Sequence, residues 1–369
     1  MKKKIKILEE KTISIYLDKI EKLNTILEKE KISYTNLLVV THSNLWQLYK
    51  DKFKTITDKV VFIPQGEKTK SIKYLLFLYK EFLRNKLDRR SLVLTFGGGV
   101  VGDIVGFAAG TFMRGIDYVQ IPTTLLAMVD SSIGGKTAVN LQEGKNLVGI
   151  FYQPRLTLCD LDVLKTLNEK EILNGFGEIL KYALINKRIY DILENCDKHK
   201  IINVPFKENN YTRKLILECI STKLDIVKQD EKEKKQIREK LNLGHTIAHA
   251  IESTTKYKTY THGEAVIIGL IVESFLAETV KVLPKSQLTK ILSLIKKFVN
   301  LDICKNFLNL DDKQLINKIK LDKKTYQQKI FRFALPLKIG NVKVIEEIQE
   351  EKILHSLKRA KMWIKTELS

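Results

Sequence analysis

Four short runs rich in β-branched residues punctuate the first part of the chain: Leu37-Leu-Val-Val-Thr41, Val60-Val-Phe-Ile63, Leu92-Val-Leu-Thr-Phe96 and Tyr118-Val-Gln-Ile121. Each is apolar almost throughout rather than alternating, the pattern of strands covered on both faces. Between them lie amphipathic segments such as 71–85, whose apolar residues recur at helical spacing. Alternation of this kind predicts a mostly parallel sheet with helices on both faces. Such sheets bind ligands at the carboxyl ends of their strands.

Beyond about Asn168 the pattern changes. Segments 169–188, 209–229, 237–256, 263–281 and 286–298 have a helical period and few β-branched runs. A β-like run, Phe331-Arg-Phe-Ala-Leu335, and a closing helix from about Val344 are expected after them. The expected organisation is therefore an α/β domain over residues 1–165 and a mainly α-helical domain over 166–369. The mixed-charge run 228–240 reads as a solvated loop or helix end.

Composition narrows the function classes. Of 369 residues, 44% are hydrophobic and 29% charged, enough to bury a core and inconsistent with a wholly disordered chain. The net charge of +21 raises the question of nucleic acid, but only ten of the 64 basic residues are Arg. A diffuse Lys excess lacks the bidentate chemistry that reads phosphates and bases, so a Lys-rich surface with no nucleic-acid partner is expected. Cys159, Cys196, Cys219 and Cys304 lie far apart, which argues against a disulfide framework or a thiolate zinc site. Glu9 and Glu10 interrupt the basic start before an apolar stretch can form, and no run is long enough to span a bilayer. The expected location is cytoplasmic, with no membrane partner.

Candidate chemistry sits after the strands. Gly97-Gly-Gly-Val-Val-Gly102-Asp103 fits G-x-G-x-x-G between a strand and a helix, where a pyrophosphate can approach the backbone at a helix N-terminus. The acid expected at the end of the next strand is missing; that strand runs into Pro122-Thr123-Thr124. Pro64-Gln-Gly-Glu67-Lys-Thr-Lys70 is a loop whose Glu67 and Lys70 could reach a ligand. Asp130-Ser-Ser-Ile-Gly-Gly-Lys136 with Glu143-Gly-Lys145-Asn146 suits a small polyanion, although it contains no P-loop.

Of six histidines, His245, His249 and His262 lie close together in sequence. His245-Thr-Ile-Ala-His249 puts two rings on one helical face and suits zinc, but it lacks the Glu of a zincin protease. His262 supplies a possible third ligand, and three ligands with an open position describe a catalytic site. Glu178 is either a further ligand or the partner of Lys181 in a helix ion pair.

Together these residues resemble the 3-dehydroquinate synthase family of sugar-phosphate cyclases. The likeness is carried by GGGVVGDIVGFAAGTFMRGIDYVQIPTTLLAMVDSSIGGKTAVN, GKNLVGIFYQP, NGFGEILK, LNLGHTIAHAIE and THGEAVIIGL, between about Pro64 and Glu273. It implies a Rossmann-like NAD-binding α/β domain, an α-helical metal-binding domain, an active site in the cleft between them and a homodimer. The zinc (or cobalt) ligands implied are Glu178, His245 and His262, with His249 moved to the substrate side. Implied NAD contacts are Asn44, Glu67, Lys70, Gly98, Gly99, Val100, Asp103, Thr123, Thr124, Lys136 and Lys145. Implied substrate and catalytic contacts are Asp130, Lys136, Asn146, Lys181, Lys223, Arg238, Asn242 and His249, with Lys324 as an addition and Arg114 reaching across the dimer. The implied reaction converts 3-deoxy-arabino-heptulosonate 7-phosphate to 3-dehydroquinate and phosphate, in the shikimate pathway. It proceeds through transient oxidation by NAD, phosphate elimination, re-reduction and aldol closure.

The chain departs from the family pattern in places. Thr41-His42-Ser43-Asn44 carries His42 where Asp is usual, and there is one extra residue near Lys234-Lys235. The alternatives on the same scaffold are a 2-deoxy-scyllo-inosose synthase-like cyclase and a polyol dehydrogenase. The first would not need the carboxylate clamp of Lys223, Arg238 and Asn242, and the second typically has Asp at the Glu178 position.

Overall fold

The structure, a computed structural model, describes residues 13–201, 206–322 and 331–369. These form two compact units. One runs to Thr123 and includes Gly135–Leu161; the other comprises Thr124–Gly134 and Asp162–Ser369.

The first unit holds β1 (Ser14–Tyr16), β2 (Leu37–Thr41), β3 (Val60–Phe62), β4 (Leu92–Gly97), β5 (Asp117–Pro122), β6 (Lys136–Val139), β7 (Val148–Phe151) and β8 (Leu156–Leu158). Six of them make one sheet in the order β1-β8-β5-β4-β2-β3, every neighbouring pair parallel. This is the expected Rossmann-like sheet, and the four apolar runs form β2 to β5. All of β2, β4 and β8 is buried, as strands covered on both faces must be. Leu78 and Phe82 of the Ile72–Arg84 helix pack with Val101, Ile104 and Val105 of the Gly99–Thr111 helix and with Leu38, Val40 and Val93 of the sheet. From β2 the chain steps outward to β3, then returns to β4 on the other side of β2 and continues away. The strand order therefore reverses between β2 and β4, and a crevice opens at their carboxyl ends.

Four strands of this unit were not expected. β1 and β8 are three residues each, too short to show a period. β6 and β7 form an antiparallel hairpin that begins at Lys136 and closes after Asn146, around the residues singled out for a small polyanion. Gly149 permits their close pairing, since a Cβ there would lie 2.3 Å from Thr137 O.

The second unit is mainly helical. Its centre is the His262–Thr279 helix, buried on all sides from Ala265 to Ala277. The Glu169–Ile185, His245–Thr254 and Glu350–Leu368 helices pack around it. Two expectations are corrected. The segment 237–256 is not one helix: a short turn over Arg238–Asn242 precedes the His245–Thr254 helix, with Gly244 between them at φ +81°. The buried carboxylate of Glu273 accepts from Gly244 N at 2.6 Å and Ile247 N at 3.3 Å, supplying the cap that lets a new helix start there. The closing helix does not begin near Val344. Asn341–Ile348 is a strand, β10, paired antiparallel with β9 (Phe331–Lys338), and the helix starts at Glu350. Gly340, at φ +83°, makes the hairpin turn that selects strand over helix. None of the described helices is long and apolar enough to cross a membrane.

Candidate functional site

In the α/β unit the glycine turn lies at the strand-order reversal. β4 ends at Gly97, Gly98 caps the Gly99–Thr111 helix, and Thr123 N donates to Gly97 O at 3.0 Å. A Cβ on Gly97 would lie 2.4 Å from Val101 Cγ2, so the turn folds back too tightly for a side chain. Gly98, Gly99 and Val100 are part-exposed, and the first N–H groups of a helix have no partner within the helix. His42 and Asn44 follow β2 at the same crevice. His42 Nδ1 bonds to Ile63 O at 2.9 Å, and because a carbonyl only accepts, that nitrogen carries the proton.

Beside the turn a polar network gathers Glu67, Lys70, Asp103 and Asn146. Buried Lys70 pairs with Asp103, one turn into the helix, and donates to Asn146 Oδ1. Asn140 links the rest: its Oδ1 accepts from Asn146 N at 2.9 Å, its Nδ2 donates to Glu67 Oε1 at 2.7 Å, and its backbone N–H donates to Lys70 O at 2.8 Å. Sequence reading did not single out Asn140; the available signal was a short polar residue closing Thr137-Ala-Val-Asn140. Lys136 is exposed on β6 and Lys145 lies half-buried beyond it. Arg114 is exposed after the helix, at φ +69°.

In the helical unit one ligand atom from each of Glu178, His245 and His262 lies within 4.8 Å of the others. Glu178 is fully buried, and its Oε1 is 3.3 Å from His245 Nε2 and 3.2 Å from His262 Nε2. The outer ring nitrogens are both engaged. His245 Nδ1 bonds to Leu243 O at 3.1 Å, and His262 Nδ1 meets Glu252 Oε1 at 3.4 Å. Each contact turns an Nε2 towards Glu178, the arrangement that orients imidazoles on a metal. Burial opposes the charge on Glu178, but Lys181 and His245 outweigh it and hold the carboxyl well below its ordinary range. Burial likewise opposes protonation of His262, yet Glu178 and Glu252 raise it to about 10. The two rings differ: Glu178 and Glu252 favour a proton on His262, whereas burial disfavours one on His245. Two imidazoles and a buried carboxylate suit zinc or cobalt. His249 is exposed one turn beyond His245, ring centroids 5.7 Å apart, so the grouping is Glu178 with His245 and His262 rather than the H-x-x-x-H pair.

The same helix that carries Glu178 carries Lys181 one turn on. Lys181 pairs with Glu178 and lies 3.3 Å from Asp130 Oδ1, on a single π turn over Ala127–Ser131. Tyr182 donates to Asp130 Oδ1 at 2.5 Å. Lys223, on the Asn210–Gln229 helix, lies 2.9 Å from Asp130 Oδ2 and donates to Asp130 O at 2.6 Å. Burial lowers Lys223 to about 8, Asp130 opposing and Lys181 adding to that shift. Arg238, buried, donates to Gly134 O at 3.1 Å and Glu231 O at 2.8 Å. Asn242 is exposed, and Thr124 caps the turn leading to Asp130 by accepting from Ala127 N at 3.1 Å. Tyr182 and Glu252 escaped sequence reading because a Tyr or Glu on a helix has no motif of its own. Lys324 lies outside the described residues.

The chain is similar to known proteins over most of its length. The family model described as 3-dehydroquinate synthase N-terminal matches residues 60–174, and 3-dehydroquinate synthase C-terminal matches 175–325. A 3-dehydroquinate synthase of Dictyoglomus thermophilum is 40% identical over 352 residues, 95% of this chain and 96% of that protein. Among solved structures, 2-epi-5-epi-valiolone synthase from Streptomyces hygroscopicus, with NAD+ and Zn2+ bound, superposes with a TM-score of 0.83 at 23% identity, covering 98% of this chain and 99% of that one. A 2-deoxy-scyllo-inosose synthase complexed with carbaglucose-6-phosphate, NAD+ and Co2+ gives 0.79 at 23% identity, covering 94% and 96%. With two consecutive family models spanning the glycine turn and the Glu178–His245–His262 cluster, the chain belongs to the 3-dehydroquinate synthase family.

Proposed function

We propose that the chain is a 3-dehydroquinate synthase, a phosphate-eliminating lyase that converts 3-deoxy-arabino-heptulosonate 7-phosphate to 3-dehydroquinate in the shikimate pathway. The observation that carries this reading is the pairing, within one unit, of the Glu178–His245–His262 cluster with the cations Lys181, Lys223 and Arg238. A polyol dehydrogenase needs a metal site but no anion clamp. The groups bound to the two solved relatives, NAD+ with Zn2+ in one and NAD+ with Co2+ in the other, suit the residues in this chain.

Each set of residues has a distinct task. Glu178, His245 and His262 would hold the dication; Gly98, Gly99 and Val100, with Glu67, Lys70, Asp103, Asn146 and Lys145, would hold the dinucleotide. Asn44, Thr123 and Thr124 would complete the dinucleotide contacts. When bound, the dication lowers the pKa of a substrate hydroxyl and the nicotinamide takes and returns a hydride. Asp130 orients Lys181 and Lys223, whose charges, with Arg238, would neutralise the substrate carboxylate and phosphate. Lys136, Asn146 and Asn242 would add polar contacts to the substrate. Exposed His249, one turn beyond His245, would relay a proton to or from the substrate. The enzyme would act as a cytoplasmic homodimer, in which Arg114 serves the partner's site, and the α/β and helical domains over 1–165 and 166–369 would bind NAD and metal respectively.

The reaction is redox-neutral overall, which sets the test. Phosphate release is measured from 3-deoxy-arabino-heptulosonate 7-phosphate with Zn2+ and substoichiometric NAD+, while absorbance follows NADH. Many phosphates per NAD, no accumulated NADH and loss of activity with a chelator are expected. Phosphate release only from a carboxylate-free sugar phosphate, or net NADH from a simple polyol, would overturn the assignment.

A further inference from the structure

We propose that Asp230 is the positioning residue for Arg238, fixing the backbone from which that guanidinium reaches the anionic substrate. Asp230 directly follows the Asn210–Gln229 helix and is buried. Its Oδ1 accepts from Lys234 N at 2.8 Å and Lys235 N at 3.0 Å; its Oδ2 accepts from Ile237 N at 3.0 Å and Arg238 N at 3.2 Å. One carboxylate therefore gathers four backbone N–H groups, the last belonging to Arg238. Charge-assisted bonds of this kind are stronger than neutral ones.

The loop needs such an anchor. Its sequence, Glu231-Lys-Glu-Lys-Lys-Gln236, has no apolar side chain to draw it inward. Two of its residues, Glu233 at φ +55° and Gln236 at φ +62°, adopt left-handed backbone that side chains disfavour. Both are held in the stretch folded around the Asp230 carboxylate. The path ends with Arg238 against Gly134, where a Cβ would lie 2.5 Å from Nη2, leaving the guanidinium little latitude. Its other contacts, Gly134 O, Glu231 O and Glu233 at 3.5 Å from Nε, hold the far end. Burial raises the Asp230 carboxyl, but the N–H groups of Lys235, Arg238, Lys234 and Ile237 outweigh it, so the acceptor stays ionised. A charge run that reads as solvent-exposed is thereby turned into the support of a buried arginine.

The inference rests on the proposed function, in which Arg238 binds substrate. It is tested by steady-state kinetics of Asp230→Asn, Arg238→Lys and the double variant, with bound zinc as a check on the helical unit. Asp230→Asn should raise KM about tenfold with kcat changed less than about threefold and zinc content unaltered. In the double variant KM should rise no further than in Arg238→Lys alone, the mark of two residues acting through one contact. An unchanged KM, or a double variant whose effect is the product of the two singles, would overturn it. If Asp230→Asn does not fold, Asp230→Ser, which keeps one acceptor, takes its place in the same comparison. Hydrogen exchange supplies a readout that needs no substrate. The amides of Lys234, Lys235, Ile237 and Arg238 should exchange about tenfold faster in the variant, with the His245–Thr254 helix unaffected. Unchanged protection would overturn the inference, whereas absence of turnover by the unaltered enzyme would count against the proposed function instead.

Discussion

Gly177 and Gly263 meet backbone to backbone where the Glu169–Ile185 and His262–Thr279 helices cross: a Cβ on Gly177 would lie 2.4 Å from Gly263 O, and one on Gly263 would lie 2.0 Å from Asn174 O. Asn174 Oδ1 also accepts from Gly263 N at 2.8 Å, pinning the crossing. These glycines adjoin Glu178 and His262. The third member of the cluster, His245, follows Gly244, whose carbonyl oxygen is 1.9 Å from a Cβ built on Gly269. All three side chains thus sit beside a close approach of backbones, and the absence of a Cβ brings them within ligand distance.

A Gly177→Ala substitution should therefore injure both the fold and the cluster. The added methyl has only backbone to displace, and overpacking of this kind costs about 1–3 kcal/mol or more. We expect a lower Tm together with weaker zinc binding, measured by thermal unfolding and by competition with a chelating dye. A variant with unchanged zinc affinity would show that helix spacing does not set the cluster.

Glu252 acts on His262 from the far side of the ring. Glu252→Gln should weaken zinc binding about 10–100-fold, the usual effect of losing the carboxylate behind a ligating histidine. Dinucleotide binding, for which the proposed function draws mainly on groups of the α/β unit, should not change. Equal zinc affinity in the variant and the parent would remove Glu252 from this role.

His262→Ala, or exhaustive chelation of the parent, should abolish turnover while NAD+ affinity, followed by fluorescence titration, stays within about twofold; an open ligand position does not substitute for a missing ligand. Full activity of His262→Ala would take His262 out of the metal site.

The Lys223 charge should be visible in the pH profile. Its value is lowered from the ordinary 10.5 to about 8, by burial first, with Asp130 opposing and Lys181 and Arg238 adding to the shift. The cationic form, which the proposed function needs to bind an anion, is lost above that pH, so kcat/KM should fall on the alkaline side from about 8. Stability runs the other way. Between about 8 and 10.5 the unfolded chain holds a proton that the folded chain has released, so this residue's contribution to stability rises with pH across that window. Lys223→Arg, which stays charged, should move the alkaline limb of kcat/KM to higher pH. An unmoved limb would assign it to another group.

Hydrophobic patterning was sufficient for much of this protein. The apolar runs that became β2 to β5 could be read directly, because a strand buried on both faces needs an unbroken apolar run and parallel pairing places helices between such runs. The glycine turn was legible for a similar reason: only glycine tolerates the position against Val101. The His245–Thr254 break and the β9–β10 hairpin were not legible. Each depends on a left-handed glycine, Gly244 or Gly340, and on partners distant in sequence, such as the Glu273 carboxylate that caps the new helix.

The candidate site divides along the same line. Residue types and spacing sufficed to nominate His245, His249 and His262, since a catalytic dication needs nitrogen and oxygen donors and this chain has few histidines, and left Glu178 as either a ligand or the partner of Lys181; the set of Glu178, His245 and His262 was implied by the family resemblance. Spacing favoured His245 with His249, because a sequence shows only neighbours on one helix. The choice of Glu178 as their companion, 67 residues from His245 and 84 from His262, was made by three helices crossing at glycines. Asn140, Tyr182, Glu252 and Asp230 carry no local signature at all. Their parts in the site arise from hydrogen-bond geometry, and that geometry exists only once the backbone has brought their partners within reach.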